Sequence, residues 1–314
     1  MGTEQSRRVL VVGSLNVDIV TQVERLPIPG ETVLASPIVR SFGGKGGNQA
    51  VAAARVGADV WMVGCVGDDT NGADSVTALS SAGVNTDHVS RCGTPTGTAT
   101  VLVDTLGENV VAVSPGANAE LGADATRAAL DELMRPGDVV LISLEIPHST
   151  VLAAVQAARA AGAIVVMNPA PSRVLSPQLI NDIDVLTPNQ HEIDTLLNAV
   201  GGTTPSDLMA AGCGALLVTR GGDGLDVYMP GQQPLHVPAE RAAVVDTTGA
   251  GDAFSGGLSA ALAAGLDLLT AARVASVAGA WATTELGARA TSVVNARDSL
   301  ESFLVSDSPG GLNP

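Results

Sequence analysis

Short apolar runs alternate with longer stretches of helical spacing along most of the chain. Runs of Val, Leu and Ile that are apolar at every position are typical of strands buried on both faces. Such runs occupy residues 9–12, 60–66, 139–143, 164–168, 185–187 and 215–219. Helical patterns occupy residues 49–56, 70–82, 120–133, 149–161, 192–200, 249–265, 267–286 and 295–304. This alternation predicts an α/β fold, a doubly wound and mostly parallel sheet covered by helices, with ligands at the carboxyl ends of the strands.

Two segments depart from this pattern. Residues 15–40 are broken by Pro27 and Pro29, and residues 92–114 contain two β-type runs around a predicted hairpin turn. We expect both segments to form a small β-sheet lid inserted in a single α/β domain of residues 1–305. Residues 306–314 are expected to be a flexible tail.

Composition and charge exclude several classes of protein. Of 314 residues, 46% are hydrophobic and 15% charged, so the chain is expected to fold. A net charge of −16 and only 2% aromatic residues argue against a nucleic acid partner. We expect no membrane partner either, because no apolar run is long enough to span a bilayer. Three cysteines without disulfide or metal spacing, and no signal segment, favour the cytoplasm.

The strongest local signal is the glycine-rich segment Asp246–Phe254, which precedes an Ala-rich helix after a strand-like run at residues 242–245. Backbone N–H groups of Gly249, Ala250 and Gly251 at a helix start would form an anion cradle. Asp252, in the first helical turn, is placed to accept a proton from an attacking hydroxyl, and its position predicts an ionised carboxylate at neutral pH. A glycine turn with a stabilising first-turn acid remains the alternative.

Polar residues at other strand ends suggest a polyol site. Asn16 and Asp18 follow the first strand, and the segment 43–48 supplies glycines, Lys45 and Asn48. Ordinary turn residues and a flexible glycine loop are the alternative here. Glu145 follows the predicted strand at residues 139–143. It is either a third polar group of this site or a loop acid without a role in it.

Two further strand ends suggest a nucleotide. Asn189 and Glu192 share one helical face and suit magnesium with phosphates, or else form a helix-start capping box. Residues 219–224 form a glycine loop that wraps a nucleotide or makes a hairpin, and the hairpin is favoured. The chain lacks a Walker loop, a dinucleotide fingerprint and a nucleophile elbow.

Six motifs in a fixed order resemble the PfkB family of carbohydrate kinases, from Val9 to Leu304. They are residues 13–18, 29–31, 42–50, 115–118, 168–171 and 246–254. The resemblance implies phosphorylation of the O5 hydroxyl of D-ribose by MgATP, with Asp252 as base and residues 249–251 as anion hole. It also implies a homodimer that pairs through the lid.

The resemblance also implies three sets of ligand-binding residues. The sugar would be held by Asn16, Asp18, Gly44, Lys45, Asn48, Glu145 and Asp252. ATP would be bound by Asn189, Glu192, Thr219, Gly221, Gly222, Gly224, Gly251 and Ser276. A potassium ion, K⁺, would be bound by Asp246, Thr248, Ala282, Glu285, Gly287 and Thr291.

The chain departs from the family pattern at four positions. Gly47 stands where alanine is usual, Ala290 replaces a frequent proline, Thr291 replaces a serine, and Ser276 occupies a position that is often histidine. A kinase for 2-deoxyribose, a nucleoside or another sugar is the first alternative function, and a non-catalytic sugar sensor is the second.

Overall fold

The structure, a computed structural model, describes residues 7–306, which contain two sheets and the helices that flank them. The strands are β1 (Val9–Val12), β2 (Asn16–Gln22), β3 (Val39–Gly43), β4 (Val60–Gly67), β5 (Val84–Cys92), β6 (Gly97–Val103), β7 (Asn109–Ser114), β8 (Val139–Ser143), β9 (Ile164–Asn168), β10 (Val185–Leu186), β11 (Ala215–Thr219), β12 (Leu225–Tyr228) and β13 (Leu235–Val237). The helices are α1 (Lys45–Val56), α2 (Thr70–Ser81), α3 (Ala123–Leu133), α4 (His148–Ala161), α5 (Pro177–Asn181), α6 (Glu192–Val200), α7 (Pro205–Ala210), α8 (Ala250–Ala263), α9 (Leu268–Ala282) and α10 (Asn295–Ser306). Residues 307–314 of the predicted tail lie outside the described residues.

The large sheet has nine strands in the order β13-β12-β11-β10-β9-β8-β1-β4-β5. All neighbouring pairs are parallel except those that β12 makes at one edge. Alternate residues of β1 enter different cores: Val9 and Val11 pack with α1, α8 and α9, whereas Leu10 and Val12 pack with α4 and the helices beside it. The predicted fold class, a doubly wound and mostly parallel sheet, is confirmed.

Strand β1 lies where the strand order reverses. The chain moves outward from β1 to β4 and β5, and then returns to β8, on the other side of β1, to continue in the opposite direction. Connections that leave a parallel sheet on opposite faces open a crevice at the carboxyl ends of the strands. This crevice positions the residues that follow β1, β8, β9, β10 and β11.

The small sheet has the order β3-β2-β6-β7 and stands beside that crevice. Strand β2 pairs in parallel with β6 and antiparallel with β3, and β6 pairs antiparallel with β7. The predicted hairpin is therefore present. Asn16, at the start of β2, lies opposite Gly43 and Gly97, which brings the small sheet to the end of β1.

The sequence analysis misplaced several elements. Residues 242–245 form no strand; Val244 and Val245 are 65% and 59% exposed, and the Val245 N–H donates to the Thr283 carbonyl. An apolar run lacks a strand's stability without a neighbouring strand to pair with. Strands β5 and β13 form the two edges of the large sheet and β12 lies next to one of them, and all three were missed because many of their residues are polar or half-exposed.

Helix α1 begins at Lys45, four residues earlier than predicted. The glycine segment is therefore not a flexible loop, since Gly46 and Gly47 lie in the first helical turn. A Cβ on Gly46 would come within 2.7 Å of the Cα of Gly13, so the glycine lets α1 approach the end of β1 closely. The start of α1 consequently reaches into the crevice.

A buried ion pair anchors the opposite end of the two central strands. Arg8 directly precedes β1, and Asp138 directly precedes β8. The Arg8 guanidinium lies 2.9 Å from the Asp138 carboxylate, and both side chains are almost fully buried. The same carboxylate accepts hydrogen bonds from the N–H groups of Arg8 and Arg135. This arrangement fixes β1 beside β8 at the edge remote from the crevice.

We predict that Asp138→Ala lowers the free energy of unfolding by about 3–5 kcal/mol, because it leaves Arg8 buried without its counter-charge. The control is Glu301→Ala, which removes an exposed ion pair with Arg297 and should cost less than about 0.5 kcal/mol. Urea unfolding measures both variants, and equal costs would contradict the role given to the buried pair.

Candidate active site

Asp252 lies in the first turn of α8 and is only 7% exposed. The Asn48 amide donates to its Oδ2 at 2.9 Å, and the Gln49 amide donates to its Oδ1 at 3.0 Å. Gly249 caps the helix with a φ of 77°, and a Cβ there would overlap the backbone of Ala288. Both oxygens of the carboxylate are thus held by the first turns of α1, at the start of a second helix.

Burial raises the pKa of Asp252 above its ordinary value. The charge of Lys45 and the hydrogen bonds from Asn48 and Gln49 oppose this effect, and the charge of Glu145 adds to it. The position of Asp252 at a helix start predicts a lowered pKa, but the pKa is raised because desolvation outweighs the helix dipole. A carboxylate of raised pKa is a better proton acceptor, so the correction favours a role as general base.

Asn16 and Asp18 belong to β2, and the alternative that they are turn residues is wrong. Asn16 is 3% exposed, and its Oδ1 accepts a hydrogen bond of 2.8 Å from Asn118. Burial raises the pKa of Asp18 to about 6, against the charge of Arg289 and with help from Glu145 and Asp252. The two side chains are therefore fixed polar groups of a partly dehydrated site.

Glu145 and Lys45 link the end of β8 to the start of α1. One oxygen of Glu145 accepts from the Ser14 hydroxyl at 2.5 Å and from the Lys45 N–H at 3.1 Å. Gly44 precedes the helix, and its carbonyl accepts from the Asn48 N–H. Burial alone would lower the pKa of Lys45, but the nearby carboxylates of Asp252, Glu145 and Glu192 outweigh it and raise that pKa.

Two cavities adjoin at this point. A cavity of about 180 Å³ is lined by Lys45, Asn168, Ala170, Thr187, Asn189, Glu192, Thr219, Gly249, Gly251, Asp252 and Phe254. A second cavity of about 360 Å³ is lined by Asn16, Val113, Pro115, Asn118, Ala119, Glu145, Ile146, Pro147, Pro171 and Arg173. Glu145 lines the second and hydrogen-bonds to Lys45, which lines the first, so residues predicted to bind sugar and nucleotide lie side by side.

The helix-start alternative for Asn189 and Glu192 is present in the structure. The Asn189 side chain accepts from the N–H of Glu192 at 2.9 Å, and the Glu192 carboxylate accepts from the N–H of Asn189 at 3.0 Å. Both residues nevertheless line the smaller cavity. Burial is the main cause that raises the pKa of Glu192, against the Asn189 hydrogen bond and the charge of Lys45.

The remaining residues predicted to bind nucleotide are more dispersed. Thr219 lines the smaller cavity at the end of β11, and residues 220–224 form the hairpin that joins β11 to β12, as favoured by the sequence. Gly221 and Gly222 are exposed in that hairpin, whereas Gly224 is buried. Ser276 is half-buried on α9 and is not among the residues that line the cavity.

The predicted anion cradle is partly open. Gly249 and Gly251 line the cavity beside Asp252, and a helix start leaves its first N–H groups without partners in the helix. The Ala250 N–H instead donates to the Thr247 carbonyl at 3.2 Å. Of the three predicted donors, the Ala250 N–H thus has a backbone partner, whereas Gly249 and Gly251 lie at the cavity.

The residues predicted to bind potassium lie on two loops that are tied together. One Asp246 oxygen accepts from the N–H and hydroxyl of Thr248, and the other accepts from the N–H of Gly287. Burial would raise the pKa of Asp246, but these hydrogen bonds outweigh it and hold the pKa low. Glu285 accepts from Thr291, and the buried Ala282 ends α9 beside these loops.

Sequence reasoning missed several residues of the site. Gln49 lies within a quoted motif but was given no role, although it also donates to the Asn168 side chain at 3.0 Å. Asn118 was likewise inside a motif without a role. Arg289 carried no sequence signal at all, and it donates to Asn48 and to the Gly43 carbonyl.

Residues 6–295 match the model of the pfkB family carbohydrate kinases. The chain therefore belongs to this family and is a sugar kinase. Among curated relatives, it is 38% identical over 250 residues to a ribokinase of Bacillus subtilis, covering 79% of this chain and 83% of that protein. It is also 35% identical over 257 residues to a deoxyribokinase of Salmonella typhi, with the same coverage.

Solved structures agree in fold. The ribokinase of Thermotoga maritima superposes with a TM-score of 0.84 at 32% identity, covering 95% of this chain and 99% of that one. The ribokinase of Arabidopsis thaliana, complexed with ribose and ATP, superposes with a TM-score of 0.79 at 30% identity, covering 96% and 99%. Among residues 7–306, none of the helices combines the length and apolar character needed to cross a membrane.

We predict that Asp18→Asn stabilises the free protein at neutral pH. A pKa raised from 3.8 to about 6 means that ionised Asp18 disfavours the folded state above pH 6, a cost that vanishes below pH 3.8 where the carboxyl is protonated. After allowance for partial solvent screening, the gain should be about 1–2 kcal/mol at pH 7. The measurement is urea unfolding at pH 7 and at pH 4.

Asp131→Asn, at an exposed position of α3, serves as the control for the loss of a negative charge. A destabilised Asp18→Asn at pH 7, or an equal gain at both pH values, would show that the carboxylate is not strained by burial.

Proposed function

We propose that the protein is an ATP-dependent ribokinase that phosphorylates the O5 hydroxyl of D-ribose, giving ribose 5-phosphate and ADP. The observation that carries this proposal is the position of Asp252. Its carboxylate is held between α1 and α8 and lines the smaller cavity with Gly251 and Lys45, and the Lys45 N–H donates to Glu145, which lines the neighbouring cavity. Membership of the family and the identities to ribokinases support the same reaction.

Separate residues would bind the sugar and accept its proton. Asn16, Asp18, Lys45, Asn48 and Glu145 provide the donors and acceptors that would grip a pentose. The Asp252 carboxylate accepts the O5 proton as O5 bonds to the γ-phosphorus and the bond from that phosphorus to ADP breaks. Alignment of the two substrates supplies much of the rate.

Charge on the transferred phosphoryl group is stabilised by fixed positive groups. Gly249 and Gly251 at the start of α8 line the cavity, and the dipole of the helix adds positive potential there. Lys45 keeps its charge because the surrounding carboxylates raise its pKa. An anionic nucleotide is thereby accepted by a protein of strongly negative net charge.

Magnesium fits the smaller cavity. Glu192 and Asn189 present oxygen ligands there, and the carboxylates of Glu192 and Asp252 outnumber the cation Lys45 among the lining residues. Among the described residues there is no group of three or more His, Cys, Asp or Glu side chains that could hold a metal ion. We infer that Glu192 and Asn189 hold Mg²⁺ mainly through water and nucleotide phosphates, where the ion would neutralise phosphate charge.

A potassium ion fits the loops beside α8. Asp246 stays ionised, and the loops around Thr248, Glu285 and Gly287 offer the carboxylate and carbonyl oxygens that suit a monovalent cation. We propose that K⁺ bound there stabilises the loop that leads into the anion cradle.

The residues of the small sheet suggest a homodimer. Strand β7 is exposed along its length, including Val110, Val111 and Val113, and it forms one edge of the sheet. An exposed apolar edge strand is a ready site for pairing with another chain. We propose that two copies pair through this sheet, so that each small sheet covers the sugar site of the partner.

We also propose that the protein is cytoplasmic, where the three free thiols would stay reduced.

The dimer is tested by sedimentation velocity on the intact protein and on Val111→Lys. The intact protein should sediment as a dimer and the variant, with a charge on the proposed edge, as a monomer. A monomeric intact protein at working concentration would contradict the proposal.

The related deoxyribokinase favours 2-deoxyribose as a second candidate substrate. ADP release should be measured with D-ribose, 2-deoxy-D-ribose and nucleosides, each with and without K⁺. We expect the highest kcat/KM with D-ribose, and a preference for another acceptor would replace the substrate while leaving the class of enzyme intact.

We predict that Asp252→Asn lowers kcat by about 10²–10⁴ while D-ribose binding stays largely intact, because the variant keeps the shape of the side chain but not its basicity. Steady-state kinetics and calorimetric binding of D-ribose measure the two effects. Asp124→Asn, at an exposed first-turn acid of helix α3, is the matched control. Near-normal turnover in Asp252→Asn would remove this residue from the role of base.

A further inference from the structure

The Arg289 guanidinium contacts both α1 and β3. Its Nε donates to the Asn48 Oδ1 at 3.1 Å, and its Nη2 donates to the Gly43 carbonyl at 2.9 Å, at the end of β3. The guanidinium carbon also lies 5.9 Å from the centre of the Phe42 ring, within the range of a cation–π contact. Arg289 therefore ties the small sheet to the first turns of α1.

The hydrogen bond to Asn48 determines which way that amide faces. A side-chain amide has one acceptor end and one donor end, and rotation by 180° exchanges them. Because Arg289 takes the oxygen end, the Asn48 Nδ2 must face Asp252, to which it donates at 2.9 Å. Without Arg289, only Asp252 would select the orientation of the amide, and in the turned orientation the amide oxygen would face the carboxylate, where the two acceptors repel each other.

We propose that Arg289 is a positioning residue that holds the Asn48 amide in the orientation that supports the catalytic carboxylate of Asp252. The proposal rests on the proposed role of Asp252 as base. Arg289 thus acts on Asp252 indirectly, by fixing the orientation of the Asn48 side chain.

Gly47 provides the space that the guanidinium needs. A Cβ at this position would overlap the Arg289 Nη2 and would come within 2.9 Å of the Leu15 side chain. The Nη2 atom is the end of a flexible side chain, so an alanine would displace the guanidinium rather than the backbone. Gly47 and Arg289 thus form a matched pair in this chain.

Other groups keep Arg289 in place. The Arg55 guanidinium donates to the carbonyls of Arg289 and Ala290 at 2.7 and 2.6 Å, which fixes the backbone at this position. Burial lowers the pKa of Arg289 to about 10, against the charges of Asp18 and Asp252, so the side chain remains charged at neutral pH. The guanidinium is therefore a fixed, charged donor beside the proposed sugar site.

A double-mutant cycle tests the proposal, with kcat and both KM values measured for Arg289→Gln, Gly47→Ala and the double variant. We expect each single variant to lower kcat about tenfold, the loss of one charge-assisted hydrogen bond, with the KM for ATP unchanged. In the Arg289→Gln background, Gly47→Ala should lower kcat by less than about twofold, because the displaced group is already absent.

The pH profile separates positioning from a purely structural role. Arg289→Gln removes a positive charge that faces Asp18 and Asp252, so the acid limb of kcat/KM should move to higher pH. The other charged groups that face these carboxylates are Lys45 and Glu145, with Glu192 beyond Lys45, and they are unchanged. Arg289→Lys keeps the charge but not the forked donor geometry, so it should lower kcat without moving this limb.

Arg297→Gln, which removes an exposed arginine paired with Glu301, is the control and should leave kcat and the pH profile unchanged. Unchanged kcat in Arg289→Gln, or an equal effect of Gly47→Ala in both backgrounds, would overturn the proposal. Gly47→Ala carries the test if Arg289→Gln does not fold. Near-normal turnover by the Asp252→Asn variant would instead show that the proposed function is wrong, so the two failures are distinguishable.

Discussion

One buried carboxylate, that of Asp252, determines how the rest of the site is built. Burying a charge is costly unless hydrogen bonds and a counter-charge accompany it. Here the amides of Asn48 and Gln49 bind both oxygens, and the charge of Lys45 opposes the effect of burial. All three partners come from α1, so the starts of α1 and α8 must meet. Gly256 of α8 permits close packing of the two helices, because a Cβ there would come within 2.5 Å of the Gln49 carbonyl oxygen.

The same constraint explains how a protein of net charge −16 can accept a nucleotide. Asp18, Glu145, Glu192 and Asp252 make the region acidic, and burial together with the charges of neighbouring carboxylates raises the pKa values of Asp18, Glu192 and Asp252. Positive potential is supplied locally by Lys45 and the helix start, and Mg²⁺ would add to it. Residues suited to the sugar and residues suited to the phosphates can thus lie next to each other while the protein keeps its negative net charge.

Much of this organisation could be predicted from the sequence, because apolar runs identify buried parallel strands and polar residues at their ends mark one edge of the sheet. The exact bounds of β8, β9 and β11 followed from such runs. Residues 242–245 show the limit of this reasoning, since an apolar run does not reveal whether a neighbouring strand is available. Arg289 shows another, because its role depends on contacts with residues more than 240 positions away.

The account depends on sugar and nucleotide meeting at Asp252. A crystal structure with D-ribose and a non-hydrolysable ATP analogue tests this most directly. The account predicts the O5 hydroxyl about 3 Å from an oxygen of the Asp252 carboxylate, with the γ-phosphate in contact with the N–H groups at the start of α8. Sugar and γ-phosphate bound in separate cavities, with Asp252 in contact with neither, would contradict it.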